Sequence, residues 1–516
     1  MIGGGPIIPT PLGPASGSAP AGIPPAEIAR HVEALRRQLD DTAARLADLE
    51  RLANPSAADA GVLSRLDIFN GYVGIFVVAF LVSLLATPLM RRLALAFGIV
   101  DRPTEARKAH RTPTPYLGGV AVWLGLMAAI FFSYTAEWHG LITPHPTTKE
   151  GTGLLPGGVP LSILLGMTVI MIVGLIDDSQ KIIPRLKIAG QLVAAAALAL
   201  ENIGVKLAHQ VLAPVATSLG FQLIDLGNGP TVGFLIPVAG GHISVDIVYW
   251  TGTALIAIFV LGACNASNLI DGLDGLLSGT TAIASAGLLI IALGLAAVDD
   301  GPLDGPRIVL CMALLGACMG FLPHNFNPAS IFLGDAGSLL LGYCTIVIVM
   351  SLGDTGKTSL VLAGLIIYAI PIIDAALAIV RRKVAGRSIS EADDQHLHHM
   401  LKRALGVRGA VLTLYLIAAI FATIGVALTL GRGRITYTIA LVFAAFIGVT
   451  AFKIARHRHL EQQAADGQAV EQDRQDRAGK AGVGARQREQ PRPDHREGRL
   501  HELRRLDRQA GNVDPA

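Results

Sequence analysis

About eleven apolar stretches, each close to the length that crosses a bilayer, constrain the fold of this 516-residue chain more than any other feature. A helix needs roughly 20 apolar residues to span the hydrocarbon core. Hydrophobic residues make up 52% of the sequence and charged residues only 16%, which no soluble domain of this length requires. The sequence therefore predicts an all-α polytopic membrane protein. The expected spans are 69–90, 117–135, 159–176, 187–203, 248–266, 276–296, 307–323, 334–352, 358–380, 410–430 and 434–454.

Composition outside these stretches divides the chain into four parts. Residues 1–24 are rich in Gly, Pro and Ala, and we expect them to be disordered. Residues 25–53 carry apolar side chains alternately four and three apart, which favours either a coiled coil that makes a homo-oligomer or an amphipathic helix on the membrane. The membrane domain is expected at 68–455, and the polar segment 457–516 is expected to be a disordered cytoplasmic tail.

The distribution of Lys and Arg predicts which side of the membrane each loop faces. Basic residues concentrate in the loops after the first, third and ninth spans, whereas the loops after the second, fourth, sixth and eighth are poor in them. Because cytoplasmic loops carry the excess of positive charge, we expect a multi-pass protein of the inner (cytoplasmic) membrane with its N-terminus outside. Residues 205–247 would then lie in the periplasm, where Gly240-Gly241 between alternating apolar runs indicates a small β-hairpin.

The same orientation brings several polar motifs to the cytoplasmic face. Asp177-Asp178 ends the third span, with Lys181 and Lys187 as sources of compensating charge. Carboxylates at the edge of a bilayer are costly, which favours a functional role, although a hydrophilic turn that ends a helix is an equal alternative. Asp374 in the ninth span either pairs with a nearby arginine or lines the site.

A second polar motif repeats every three residues, at Asn265, Asn268, Asp271 and Asp274. Residues three apart share a helix face, but a strict period of three drifts around an α-helix, so only adjacent members of the motif would converge. The Leu and Ile residues between them keep the segment half buried, which argues against an ordinary solvated loop. This motif therefore indicates a polar site at the membrane border.

Two further motifs border the later spans. Gly334-Asp335 opens the eighth span, where either the helix N-terminus binds a phosphate while Asp335 holds its metal ion, or Asp335 only caps the helix. His396, His398 and His399 lie in a long basic loop and favour binding of a diphosphate, with a metal site or contact with anionic lipid heads as alternatives. The net charge of +3 is too small to imply nucleic acid. Together the motifs predict a membrane-embedded site for a metal ion and a phosphorylated substrate.

Five stretches of the sequence resemble the polyprenyl-phosphate N-acetylhexosamine-1-phosphate transferase family. They are RKAHRTPTPYLGG, GLIDDSQKIIPRLK, NASNLIDGLDGL, HNFNPASIFLGDAGSLLLG and PIIDAALAIVRRKVAGRSISEADDQHLHH. The resemblance covers roughly residues 68–455. The R-K-x-H start and the D-x-x-H-L-H-H loop look like the branch that transfers GlcNAc-1-phosphate to undecaprenyl phosphate, whereas the muramoyl-pentapeptide branch carries a different entry motif.

The resemblance implies roles for individual residues. Mg²⁺ is the implied cofactor, with Mn²⁺ as the alternative, and its implied ligands are Asp335 and Asp178. The implied catalytic residues are Asp177, Asp178, Asp271 and Asp274. The residues implied to bind the substrates are Lys108, His110, Asn265, Asn268, Asn325, Phe332, His396, His398 and His399.

The resemblance also implies a reaction. An N-acetylhexosamine 1-phosphate, expected to be GlcNAc-1-phosphate, would pass from a UDP-sugar to undecaprenyl or decaprenyl phosphate, releasing UMP and starting a cell-envelope glycan such as lipopolysaccharide, teichoic acid or arabinogalactan. A phospho-MurNAc-pentapeptide transferase and a secondary transporter are the alternatives, although a transporter would hold its carboxylates at mid-bilayer. An intramembrane aspartyl protease fits less well, because Phe332 stands at the first glycine of its G-x-G-D motif.

Overall fold

The computed structural model describes residues 65–101, 113–138, 158–180, 182–205, 241–298, 303–355, 357–384, 386, 396–431 and 433–443, with shorter pieces between 207 and 238 and between 445 and 456. Helices dominate these residues. They are α1 (Arg65–Phe97), α2 (Gly118–Trp138), α3 (Leu161–Gln180), α4 (Pro184–Leu200), α5 (Ile247–Ile270), α6 (Leu276–Ala296), α7 (Asp304–Asn325), α8 (Gly334–Ser351), α9 (Thr358–Ile367), α10 (Ala369–Val384) and α11 (Leu397–Leu430).

The described residues form a multi-pass membrane protein, but they do not confirm eleven spans. Nine helices, including one at Gly433–Thr450, are long and apolar enough to cross a bilayer, or ten if the bent pair α9 and α10 is one span. These two helices meet at 79°. α4 begins at a proline and has 17 residues, which is short for a crossing. Hydropathy detects apolar residues at all these places, but it does not show where a helix bends or ends.

α8 is the central helix of the bundle. All of its residues from Ala336 to Ser351 are buried, and it packs against α2, α3 and α5. Glycines permit this close packing: a Cβ on Gly119 would lie 2.1 Å from the backbone nitrogen of Gly337, and a Cβ on Gly174 would lie 2.4 Å from the Cα of Ala336. The first turn of α8 is therefore held between the backbones of α2 and α3.

Short antiparallel strands connect some of the helices. The predicted hairpin forms from β5 (Gly233–Val238) and β6 (Gly241–Asp246), with Val238 opposite Gly241. Two shorter pairs precede it in the chain, each with two residues in a strand. They are β1 (Val100–Asp101) with β2 (Thr114–Pro115), and β3 (Ile224–Asp225) with β4 (Pro230–Thr231).

Three of the predicted parts lie outside the described residues. They are the N-terminal segment 1–24, the amphipathic or coiled-coil segment 25–53 and the tail 457–516. Their predicted structures, and the homo-oligomer that a coiled coil would make, stay predictions.

Candidate active site

The ends of five helices meet at one end of the bundle and carry most of the predicted site residues. Asp177 and Asp178 lie in the last turn of α3, Asp271 directly follows α5, and Asp335 is the second residue of α8. α4 and α11 begin at the same end and bring Lys187 and the histidines. The sequence prediction that these distant motifs gather at one end is confirmed by their contacts.

Asp178 caps α8 from the neighbouring helix α3. Its carboxylate accepts the backbone N–H of Asp335 at 2.7 Å and that of Ala336 at 3.0 Å. Gly334 precedes them at φ 73°, and a Cβ there would lie 2.5 Å from Asp178 Oδ2. A helix N-terminus favours an anion, and here the anion is the protein's own carboxylate. The side chain that caps this turn is therefore Asp178 and not Asp335. Phosphate binding at this turn and a metal-binding role for Asp178 stay predictions.

Asp335 lies between a lysine and an amide. Lys187 Nζ donates to Asp335 Oδ2 and also to Asp177 Oδ2 at 2.9 Å. Asn268 Nδ2 donates to Asp335 Oδ1 at 2.6 Å and to Ser338 Oγ at 2.9 Å. Side chains from α4 and α5 thus fix this one carboxylate of α8, and Lys187 supplies the compensating charge that the sequence suggested.

Asp271 differs from the other carboxylates because its side chain has no hydrogen-bond partner among the described residues. It follows the last residue of α5 and is partly buried. Burial, with smaller contributions from the negative charges of Asp335, Asp178 and Asp274, raises the pKa of Asp271 to about 8. An unpaired carboxylate among three others is available to a cation.

Asp274 organises a loop. Its Oδ2 accepts Asn327 Nδ2 at 2.8 Å and the backbone N–H of Ala329 at 3.1 Å. Two arginines hold the same loop from other helices: Arg408 Nε donates to the carbonyl of Asn327 and Arg91 Nε donates to that of Ser330. These bonds show what Asp274 does in the fold, and its predicted catalytic role stays a prediction.

Asn325 is engaged inside the protein. It is buried, and its Oδ1 accepts the N–H of Gly275 at 3.1 Å and the hydroxyl of Ser278 at 3.0 Å. Its Nδ2 donates to the carbonyl of Ile331. The amide therefore joins α6 to the loop before α8, and contact with a nucleotide stays a prediction for this residue.

Asn265 and Phe332 border the site from two sides. Asn265 is exposed and its Nδ2 donates to Gln191 Oε1 at 2.9 Å, which links α5 to α4. The ring of Phe332 lies 6.0 Å from that of Tyr116, between centroids. Lys108 and His110 precede this tyrosine but lie outside the described residues.

The three histidines form one cluster at the start of α11. His396 Nδ1 lies 2.9 Å from Asp374 Oδ2, and the rings of His398 and His399 have centroids 4.2 Å apart. A Cβ on Gly272 would lie 2.4 Å from His398 Nε2, so the cluster packs directly on the loop that carries Asp271. Lys187 and Asp374 are the site residues that sequence reasoning named only as sources of charge or as an open alternative.

The donor set suits a hard cation such as Mg²⁺. Asp335 and Asp271 offer carboxylate oxygens to one region. In the described part of the chain, Lys187 is the one ammonium paired with Asp335, and it leaves Asp271 unpaired. No three His, Cys, Asp or Glu side chains converge there, within the described residues, as a preformed metal centre. Mg²⁺ often takes only one or two carboxylates and completes its shell with water and substrate phosphates, so the residues present fit it.

Comparison with known proteins agrees with this geometry. The profile of glycosyl transferase family 4 matches residues 160–353. A probable undecaprenyl-phosphate N-acetylglucosaminyl 1-phosphate transferase of Bacillus subtilis is 30% identical over 73% of this chain and 91% of its own length. A decaprenyl-phosphate N-acetylglucosaminephosphotransferase of Mycobacterium tuberculosis is 34% identical over 67% of this chain and 79% of its own.

A phospho-N-acetylmuramoyl-pentapeptide-transferase of Bacillus cytotoxicus is also similar, with 29% identity over 63% of this chain and 87% of its own length. Both N-acetylglucosamine-phosphate enzymes are at least 30% identical to this chain, over 73% and 67% of its length. The chain therefore belongs to glycosyl transferase family 4 and is a membrane transferase.

Proposed function

We propose that the protein transfers GlcNAc-1-phosphate from UDP-GlcNAc to a polyprenyl phosphate, undecaprenyl or decaprenyl, and releases UMP. The names of the two N-acetylglucosamine-phosphate relatives support the sugar and the lipid. The observation that carries the proposal is the convergence of Asp335, Lys187 and Asn268 from three helices at a membrane-border site. The product would start a cell-envelope glycan.

The proposed chemistry is one phosphoryl transfer. An oxygen of the lipid phosphate attacks the phosphorus that bears the sugar, and the bond from that phosphorus to the bridging oxygen of UMP breaks. A phosphate monoester is largely dianionic at neutral pH, so Asp177 is not needed as a base. Such transfers depend mainly on positioning and charge stabilisation.

The side chains of the site have corresponding tasks. Lys187 neutralises Asp335 and offers a positive charge beside the diphosphate, while Asn268 fixes the orientation of Asp335. Asp177, which accepts from Lys187 and from the backbone N–H of Ile182, keeps the ammonium in place. Asp335 and Asp271 would hold Mg²⁺, with Mn²⁺ as the alternative, and the bound ion would neutralise diphosphate charge.

We further propose that the active site faces the cytoplasm from the inner membrane, with the N-terminus outside. The excess of Lys and Arg in the loops at the site end supports this orientation. A cytoplasmic site would meet a soluble UDP-sugar while the lipid chain stays in the bilayer. The hairpin β5–β6 would then lie on the periplasmic side.

The test is UMP release by the purified protein in detergent with UDP-GlcNAc, polyprenyl phosphate and Mg²⁺. We expect release that requires both the lipid and the metal and is lost in Asp335→Asn. The matched control is Glu201→Gln, because Glu201 follows the last residue of α4, at the opposite end from Lys187. Release with UDP-MurNAc-pentapeptide but not with UDP-GlcNAc would reassign the sugar, and no release with either would contradict the proposal.

A further inference from the structure

Asp374 is a buried carboxylate with no part in the mechanism described so far. It lies on α10 and only 2% of the residue is exposed. Its Oδ1 accepts the backbone N–H of Leu397 at 2.9 Å, and its Oδ2 lies 2.9 Å from His396 Nδ1. One side chain therefore fixes both the first backbone turn of α11 and the first ring of the histidine cluster.

The bond to His396 determines which edge of that ring is available. A carboxylate can only accept, so Nδ1 of His396 carries the hydrogen and Nε2 lies on the opposite edge of the ring. Among the described residues, Nε2 of His396 has no hydrogen-bond partner. The ring of His398 stacks on that of His396, with centroids 5.4 Å apart and planes 16° apart, and its Nδ1 lies 3.8 Å from the same oxygen of Asp374.

The histidine cluster contacts the loop after α5, which carries Asp271 and is called the acidic loop here, at a glycine. His398 Nε2 occupies the space that a side chain at position 272 would fill, since a Cβ on Gly272 would lie 2.4 Å from it. Gly272 directly follows Asp271, the unpaired carboxylate. The position of the rings, which Asp374 fixes, is therefore coupled by direct packing to the loop of Asp271, where the proposed metal ion would neutralise the diphosphate.

We propose that Asp374 is a positioning residue that orients His396 and His398 toward the diphosphate of the sugar nucleotide, an inference that rests on the proposed function. In metal sites, removing a carboxylate that hydrogen-bonds the far nitrogen of a metal-binding histidine lowers activity or metal affinity by roughly 10-fold to 100-fold. We expect an effect of similar size here. Because Asp374 would act through the ring of His396, on which the ring of His398 stacks, its removal should matter little once His396 is gone.

A double-mutant cycle with the full-length protein in detergent tests this inference. Asp374→Asn, His396→Ala and the double variant are compared for UMP release at varied UDP-GlcNAc and varied lipid. We expect Asp374→Asn to lower kcat/KM for UDP-GlcNAc by about 10-fold to 100-fold and to leave the KM for the lipid unchanged. The double variant should be no slower than His396→Ala alone.

Glu201→Gln combined with His396→Ala is the matched control. Glu201 accepts the hydroxyl of Ser162 at 2.5 Å, at the far ends of α3 and α4 from the site carboxylates, so its effect should multiply with that of His396→Ala. The inference would be overturned if the losses caused by Asp374→Asn and by His396→Ala also multiply in the double variant. It would also be overturned if Asp374→Asn changes the KM for UDP-GlcNAc and the KM for the lipid equally.

A second variant keeps the test decisive if Asp374→Asn does not fold. Gly272→Ala moves His398 away from the acidic loop and should raise the KM for UDP-GlcNAc but not for the lipid; no change would overturn the inference. If the wild type shows no turnover with any UDP-sugar, the proposed function fails, and UDP affinity measured for the same variants then decides the role of Asp374. If the losses of UDP binding free energy from Asp374→Asn and from His396→Ala add in the double variant, the inference is overturned.

Discussion

At the scale of single residues, Lys187 balances two carboxylates that would otherwise repel each other. Its ammonium contacts both Asp177 and Asp335. Lys187→Met should lower the rate of UMP release by about 10²-fold, the loss typical of removing one donor that stabilises charge in a transition state. Arg185→Met on the same helix is the control, because this arginine is exposed. Equal rates for the two variants would show that Lys187 only anchors α4.

Asp271 gives a second prediction at this scale. Its pKa of about 8 in the folded protein exceeds the value of roughly 4 for an unfolded aspartate. Between these two values the folded, metal-free protein binds more protons than the unfolded chain, so this group makes stability fall as pH rises through that window. In EDTA, the Tm of the wild type should fall between about pH 6 and pH 8, and Asp271→Asn should remove part of that fall.

The metal ion provides the control for this prediction. Added Mg²⁺ should bind the ionised carboxylate and raise the Tm near pH 8, more in the wild type than in Asp271→Asn. Equal falls in Tm for the two proteins in EDTA would contradict the assignment of the raised pKa to Asp271.

At the scale of helices, the site depends on how closely α3 approaches α8. Gly174 has no room for a methyl group, because a Cβ there would meet the backbone of Ala336 at 2.4 Å. Gly174→Ala should destabilise the protein by about 1–3 kcal/mol and weaken the cap that Asp178 forms. Thermal unfolding in detergent measures the first effect and UMP release the second.

Gly262 on α5 is the matched control for that substitution. A Cβ on Gly262 would meet nothing within 4 Å, so Gly262→Ala should be neutral or stabilising by roughly 0.5–1 kcal/mol. If both alanine variants melt like the wild type, the tight contact between α3 and α8 is not important for stability.

The helix positions could be predicted from the sequence because burial in a bilayer requires runs of apolar residues. A described helix lies at each expected span, whereas the 79° bend between α9 and α10 leaves no such signal. The cap by Asp178 could not be predicted either. It depends on the register between two helices that are far apart in the chain, and a sequence pattern does not record that register.

The site residues, like the helices, could be predicted only in part. Motifs at helix ends identified Asp335, Asn268 and the histidines as neighbours. In the structure Asn268 contacts Asp335, and His398 packs on Gly272 in the loop after α5. The bond from Asp374 to His396 joins residues 22 apart across a loop, and nothing in the spacing favours it over a pairing with arginine. The sequence therefore predicted which residues lie near one another in the site, but not which pairs of them form hydrogen bonds.

At the scale of the whole molecule, the proposed orientation requires the two ends of the bundle to face opposite sides of the membrane. α6 begins at Leu276, two residues after Asp274, and its 21 residues extend about 30 Å to the other end of the bundle. Arg185 near the site and Val298 beyond α6 are both exposed. The native cysteines are all buried and should label little: they are Cys264, Cys311, Cys318 and Cys344.

Cysteine labelling tests this orientation in intact spheroplasts with a membrane-impermeant maleimide. Val298→Cys should react from outside, because positive-inside anchoring places the site end in the cytoplasm. Arg185→Cys should react only after the membrane is broken, and both variants should keep UMP release, since neither side chain contacts the site carboxylates in the described structure. The reverse labelling pattern would place the site outside the cell, where a cytoplasmic UDP-sugar does not reach it, and would contradict the proposed orientation without contradicting the chemistry.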